Sequence, residues 1–192
     1  MNVIETARLV LRQLAAGDAA FILELLNDPT WLRFIGDRGV RNLEDARAYI
    51  RNGPVASYAT HGFGLWLVQG KTDGVPVGIC GLLKRDMLDD VDVGFAFLQQ
   101  FQGQGFGLES ARATLLYGRS ILGLKRIVAV TQPENVGSIR LLEKLGLRYE
   151  KMVQLSPLVP AIKLFAIDFR TNLPTPNPRR WETNPEPKSI QP

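Results

Sequence analysis

Hydrophobic and polar positions along the chain mark out its elements in turn. Residues 8–14 alternate, with Leu9 and Leu11 on one side and Val10 and Arg12 on the other, the period of two expected of a half-buried strand. Phe21, Ile22, Leu25 and Leu26 then recur at helical spacing, with Asp18 as N-cap and the Asp28–Pro29 step as terminator. Residues 31–41, with Gly36 and Gly39, read as loop. Asn42 caps a second helix through Leu43, Ala46 and Ile50, which Gly53 and Pro54 interrupt. Residues 63–69 and 75–84 form a hairpin across the Asp73–Gly74 turn signal.

Residues 91–98 read as the next strand. A glycine-rich junction and a helix to about Ser120 follow. The apolar run Ile127, Val128, Ala129 and Val130 predicts a short buried strand, stopped by Pro133. Asn135 suits the N-cap and Gly146 the C-terminal end of another helix. Residues 147–153 and 161–169 close the pattern as an antiparallel pair. This order predicts an α/β protein with a mixed, largely antiparallel sheet of about seven strands and about four helices. Residues 1–170 form the expected domain. Residues 171–192 hold six of the twelve prolines and few large apolar side chains, so they read as an extended tail in which Trp181 is the candidate anchor.

Composition narrows the function classes. With 45% hydrophobic residues in 192, the chain can bury one sizeable core. No apolar run reaches the roughly 18 residues of a membrane span, and the N-terminus lacks a basic and then apolar leader pattern. A single cysteine, Cys80, rules out an internal disulfide and fits a cytoplasmic setting. The net charge of +4 suits an anionic small molecule, and no basic stripe points to nucleic acid. No Cys/His spacing points to a metal.

The candidate chemistry centres on Gln102, Gly103, Gln104, Gly105, Phe106 and Gly107. Glycines at a strand-to-helix junction let successive N–H groups converge on an anion at the positive end of the helix dipole. A dinucleotide fingerprint has different glycine spacing, and a phosphate-binding P-loop would need a lysine here. A plain glycine turn that binds nothing remains open on the loop alone.

Three further segments join it. The pattern Q-x-x-G-x-G over Gln102–Gly107 resembles the pyrophosphate loop of the GNAT acetyltransferases. Thr6, Ala7, Arg8, Leu9, Val10, Leu11 and Arg12 resemble the opening strand of that family's RimJ/RimL-like, ribosomal-protein-acetylating branch, and Glu109 matches the branch's acidic residue after the loop. Asn135, Ser138, Glu143, Lys144 and Gly146 match the family's N-x-x-S…EK-x-G helix. The resemblance covers roughly residues 5–169.

That resemblance implies a GNAT fold with splayed central strands. It also implies acetyl-CoA as acetyl donor, a primary amine as acceptor (a protein N-terminus or a small amine), and direct attack in a ternary complex. The amides of residues 103–108, through Leu108, would hold the pyrophosphate, with a side chain at Gly105 intruding on the cradle, and Gln102 would orient the loop. Pantetheine would lie along Phe95, Ala96, Phe97 and Leu98, opposite residues 128–131, with an N–H near Phe97 as oxyanion donor. Asn135 would contact the pantetheine arm, and Arg140 and Lys144 could reach the ribose phosphate. Ser138 would protonate the leaving thiolate. Asp92 stands where many members carry a glutamate base, and Asp86, Asp89 and Asp90 could attract the amine. The substrate wall would come from residues 31–41, 53–63 and 156–161. A homodimer is compatible with the pattern. The alternative is a GNAT-fold protein that binds acyl-CoA as a sensor without turnover. His61, Cys80 and Tyr149 read as structural.

Overall fold

The computed structural model describes residues 2–156 and 159–169. The proposed tail, with Trp181, lies outside the described residues. Eight strands form one sheet in the order β1-β2-β3-β4-β5-β6-β8-β7. They are β1 (Asn2–Glu5), β2 (Leu9–Gln13), β3 (Leu65–Gly70), β4 (Pro76–Leu83), β5 (Asp92–Phe97), β6 (Arg126–Thr131), β7 (Arg148–Val153) and β8 (Ile162–Asp168). Every neighbouring pair is antiparallel except β5 and β6, which run parallel. Among the described residues the six α-helices are α1 (Ala19–Leu26), α2 (Pro29–Phe34), α3 (Leu43–Ile50), α4 (Ala56–His61), α5 (Phe106–Ser120) and α6 (Val136–Lys144).

Strand periodicity divides the core. Leu67 of β3 and Ile79 of β4 pack with Ile22, Leu25, Ala46 and Ile50 of α1 and α3. Their sequence neighbours Trp66, Val68, Cys80 and Leu82 point the other way, onto Ala111 and Leu115 of α5 and Leu142 of α6. Both faces of the central strands are covered, which is why β4 reads as nearly continuous apolar sequence rather than alternating.

The α/β, largely antiparallel sheet expected from the sequence is present, with one more strand and two more helices. β1 adds to the edge through Asn2↔Arg12 and Glu5↔Val10. Residues 31–34, expected as loop, belong to α2. The Asp28–Pro29 step lies just past the end of α1 and also starts α2, because proline fits the first helical turn and the Asp28 carboxylate accepts from the Thr30 N–H. Gly53 and Pro54 do not break the chain out of helix. A π-helical turn, Arg51–Val55, absorbs them and leads into α4. Asp18 precedes α1 but does not cap it with its side chain, which accepts from the Ala15 N–H and pairs with Arg12.

Candidate active site

β5 pairs with β4 along its length, from Leu83↔Asp92 to Gly78↔Phe97. Its other edge meets β6 at one register pair, Asp92↔Val128, where the Val128 N–H donates to the Val91 carbonyl at 3.0 Å. Beyond that point the strands part. The Leu98 N–H donates to the Val77 carbonyl, so by strand alternation the backbone groups of Phe95 and Phe97 face the gap instead of β4. A cleft of about 1200 Å³ opens from this gap. The far edge of β6 pairs with β8 from Arg126↔Asp168 to Thr131↔Lys163. α5 and α6 approach closely beside it: a Cβ on Gly107 would come within 2.8 Å of Leu141 Cδ1.

The glycine loop sits at the mouth of the gap. Gly103 and Gly105 take φ of 76° and 83°, the left-handed region that other residues adopt at a cost of about 1–2 kcal/mol. Gly105 is the N-cap of α5, and the Glu109 N–H is the first to bond back into the helix, to the Gly105 carbonyl at 3.0 Å. The N–H groups of Phe106, Gly107 and Leu108 are therefore the open donors at the helix's positive end. A Cβ on Gly105 would meet Arg8 Nη2 at 3.3 Å. The positive φ by itself favours glycine at this turn.

A latch holds this loop. The Glu109 carboxylate accepts from Thr6 Oγ1 at 2.7 Å, from the Arg8 N–H at 2.9 Å and from Arg8 Nε at 2.7 Å. Arg8 Nη1 donates to the Gln104 carbonyl at 3.1 Å, and its guanidinium lies 4.8 Å from the Phe106 ring centre. Burial alone would raise the Glu109 pKa, but the bonds from Thr6 and Arg8 outweigh it and hold the carboxyl below its usual value. A carboxylate beside an anion cradle is thereby neutralised by a neighbour. Gln102 Nε2 donates to the Phe97 carbonyl at 3.0 Å and to Thr30 Oγ1 at 3.1 Å, tying loop, strand and α2 together.

On the opposite wall, Asn135 Oδ1 accepts the Ser138 N–H at 3.0 Å. The cap and the proposed binding role are compatible, because capping uses the carbonyl oxygen of the side chain and leaves the amide group. Asn135, Ser138, Arg140 and Lys144 all line the cleft. So do Phe95, Ala96, Phe97, Gln102, Gly103, Gly105, Phe106, Gly107 and Leu108. Two expected contacts fall elsewhere. Leu98 is buried in the core between sheet and α1–α3, and Gln104 does not line the cleft and turns its amide to the Gln100 carbonyl.

At the closed end of the gap, Asp92 is 1% exposed, and Arg85 Nε reaches its two oxygens at 3.0 and 3.1 Å. Burial raises the Asp92 pKa, and Arg85 offsets only part of that shift. Arg38, Tyr49 and Arg85 line the same end. Sequence reasoning covered Arg38 only within the expected 31–41 wall and did not find Tyr49 or Arg85, because the three sit on separate segments and match no motif. Asp86 and Asp89 do not line the cleft, and Asp90 pairs with Arg126 at 2.9 Å, so the expected acidic attraction of the amine reduces to Asp92. Of the expected substrate wall, residues 31, 34–36 and 38 line the cleft, as do 156 and 159–161, while residues 53–63 do not. His61 stacks on Phe63 with ring centres 5.8 Å apart, outside the cleft. Tyr149 lies half-exposed on β7. Cys80 is fully buried, with its thiol pushed up to about 11 by desolvation.

Comparison with known proteins agrees with this geometry. A family model described as an acetyltransferase (GNAT) domain matches residues 8–148. The uncharacterized N-acetyltransferase YnaD of Bacillus subtilis (strain 168) is 29% identical over 147 residues, covering 77% of this chain and 83% of its own. YkkB, an uncharacterized protein of the same organism, is 29% identical over 152 residues, 78% of this chain and 87% of its own. The GNAT-family acetyltransferase from Bacillus anthracis superposes with a TM-score of 0.73 at 26% identity, covering 86% of this chain and 98% of that one. RimL, a ribosomal L7/L12 alpha-N-protein acetyltransferase solved with coenzyme A, shares the fold, with a TM-score of 0.74 at 14% identity over 88% of this chain and 98% of its own.

Proposed function

The chain belongs to the GNAT acetyltransferase family, whose members are acetyl-CoA-dependent acyltransferases, and on that premise we propose the following site. It moves acetyl from acetyl-CoA to a primary amine by direct attack, with both substrates bound together. The carrying observation is the parting of β5 from β6, with the glycine cradle at one end and Asp92 at the other. Residues 92–97 of β5 run between the two, with the backbone groups of Phe95 and Phe97 turned to the gap.

The residues fit the donor. The set over 103–108 is all backbone N–H, and the acidic side chain beside it is neutralised by Arg8. When bound, acetyl-CoA supplies the activated acetyl group as a thioester. The N–H groups of Phe106, Gly107 and Leu108 would hold the pyrophosphate, and the backbone edge at Phe95 and Phe97 would receive the pantetheine amides as a further strand would. An N–H on that edge near Phe97 would serve as donor to the carbonyl oxygen on which charge develops. Asn135 orients the arm through its amide. The Ser138 hydroxyl, held at the first turn of α6, would donate a proton to the leaving sulfur.

Asp92 removes the proton from the acceptor ammonium. Its raised pKa makes it a stronger base than a solvated aspartate. At 1% exposure it works through one water rather than by direct contact. Arg85 keeps the carboxylate in a single orientation. The acceptor is the amine of a protein N-terminus or of a small molecule. The motif from Thr6 to Arg12, together with Glu109, supports a place in the RimJ/RimL-like branch.

Calorimetric titration with acetyl-CoA, with ATP and NAD as controls, tests the cofactor assignment. Selective binding is the expected result, and its absence would overturn the reading. Thiol release then separates an enzyme from a binder. Asp92→Asn should lower the rate and move the acid limb of the pH profile while leaving acetyl-CoA binding intact. An unmoved profile removes Asp92 from the mechanism.

A further inference from the structure

This inference rests on the acetyl-transfer reading of the same cleft and concerns what the acceptor carries. We propose that the acceptor amine belongs to a small molecule that also bears an anionic group, a carboxylate or a phosphate, and that Arg38 binds that group beside Asp92.

The charge at this end of the cleft is unbalanced. Arg38, Arg85 and Asp92 are its charged lining residues, two guanidinia against one carboxylate. Asp92 is engaged by Arg85. The carboxylates nearest Arg38 in sequence are engaged elsewhere. Asp37 pairs with Arg41 and accepts the Gly39 N–H, and Asp45 accepts the Arg41 N–H at 2.9 Å. Among the described residues Arg38 makes no ion pair.

A lone alkylammonium brought to Asp92 would therefore enter a net positive environment and be repelled. An amine that carries its own negative charge enters with the field. Apolar Phe34, Ile35 and Leu83 line the same cleft and would pack against the carbon skeleton of the acceptor.

Tyr49 lines the cleft with them, and while burial raises its pKa, Arg38 and Arg85 both act on its hydroxyl in the opposite sense. An amino acid or an aminoalkyl phosphate carries both charges on one small molecule, an ammonium for Asp92 and an anion for Arg38. A peptide N-terminus with a distant carboxylate does not offer that arrangement. The Tyr49 hydroxyl provides a second donor to the same anion.

The test uses matched pairs of amines with the full-length enzyme: an amino acid against its amide, and aminoethyl phosphate against aminoethanol. The ratio of kcat/KM for the anionic over the neutral member is read by thiol release. We expect a ratio of about tenfold or more, as for a hydrogen bond between charged groups. It should fall toward one in Arg38→Met and be partly kept in Arg38→Lys. A ratio near one in the unaltered enzyme, or one that survives Arg38→Met, overturns the proposal. So does a peptide amide with a neutral tail that matches the best anionic amine. If no amine in the panel turns over, the N-acetylated product of each is titrated calorimetrically with CoA present. Binding there without an Arg38-dependent preference for the anionic member, or no binding of either member, equally overturns it. Failure to bind acetyl-CoA sinks the acetyl-transfer reading itself. Binding and turnover without anion preference sink this inference alone.

Discussion

Replacing Arg85 with methionine probes the electrostatics at the closed end of the cleft. Arg85 is the hydrogen-bonded cation on a carboxylate that is 1% exposed. Removing one partner of a buried pair costs about 3–5 kcal/mol, because the remaining charge is stranded. The Arg85 side chain is 35% exposed, so water provides part of the compensation, and about 2 kcal/mol is the discounted expectation. For a domain of this size that lowers Tm by roughly 4–8 °C.

The pH dependence gives the sign. Burial raises the folded-state pKa of Asp92, and losing Arg85 raises it further. The native state then holds a proton that the unfolded state has already released, so stability falls as pH rises from the ordinary aspartate value through the raised one. The deficit against the unaltered protein should be full at neutral pH and fade in acid, where Asp92 is protonated in both states. Thermal unfolding from about pH 4.5 to about pH 8 reads this directly. Adding Asp92→Asn to Arg85→Met should recover most of the loss. A deficit equal at both ends of the pH range, or unaffected by Asp92→Asn, would refute the pairing as the cause.

Gly105→Ala should weaken acetyl-CoA binding by about 5–30-fold in calorimetry, because a φ of 83° costs an alanine about 1–2 kcal/mol and relaxing it moves the N–H groups. An unchanged Kd would show that the cradle does not depend on this turn. Glu109→Gln should destabilise the protein at neutral pH by about 1 kcal/mol. Because the Glu109 pKa is lowered, its contribution is present above the ordinary glutamate value and is lost as pH falls through the lowered one, so the Tm deficit should vanish in acid. Cys80, buried and with its thiol near 11, should react with a thiol reagent at about pH 8 only as fast as the protein opens, and an immediate stoichiometric reaction would contradict its packing.

The glycine loop and the Asn135 cap were legible because each is a local backbone event. A φ above zero demands glycine, and an N-cap demands a short polar side chain, whatever the rest of the chain does. The β3–β4 hairpin and the stripe of α1 were legible for the same reason, since period and turn chemistry are properties of adjacent residues. α2 and α4 were not. One starts at a proline that equally marks an end, and the other follows a Gly–Pro step that the chain carries through as a π-turn because Pro54 is buried there. β1 escaped because four residues carry too little pattern, and only its pairing with β2 defines it.

The sequence by itself determined the anion cradle, the order of elements and the family resemblance, because these depend on residues close together in the chain. Only the tertiary structure decided which charges meet. Arg85 reaches Asp92 because β4 and β5 pair in one register. Glu109 meets Thr6 and Arg8 across more than a hundred residues. Arg38 joins the cleft from a loop whose own carboxylates are engaged elsewhere. Charge pairing acts through space and is decided by packing, so no reading along the chain could have assigned it.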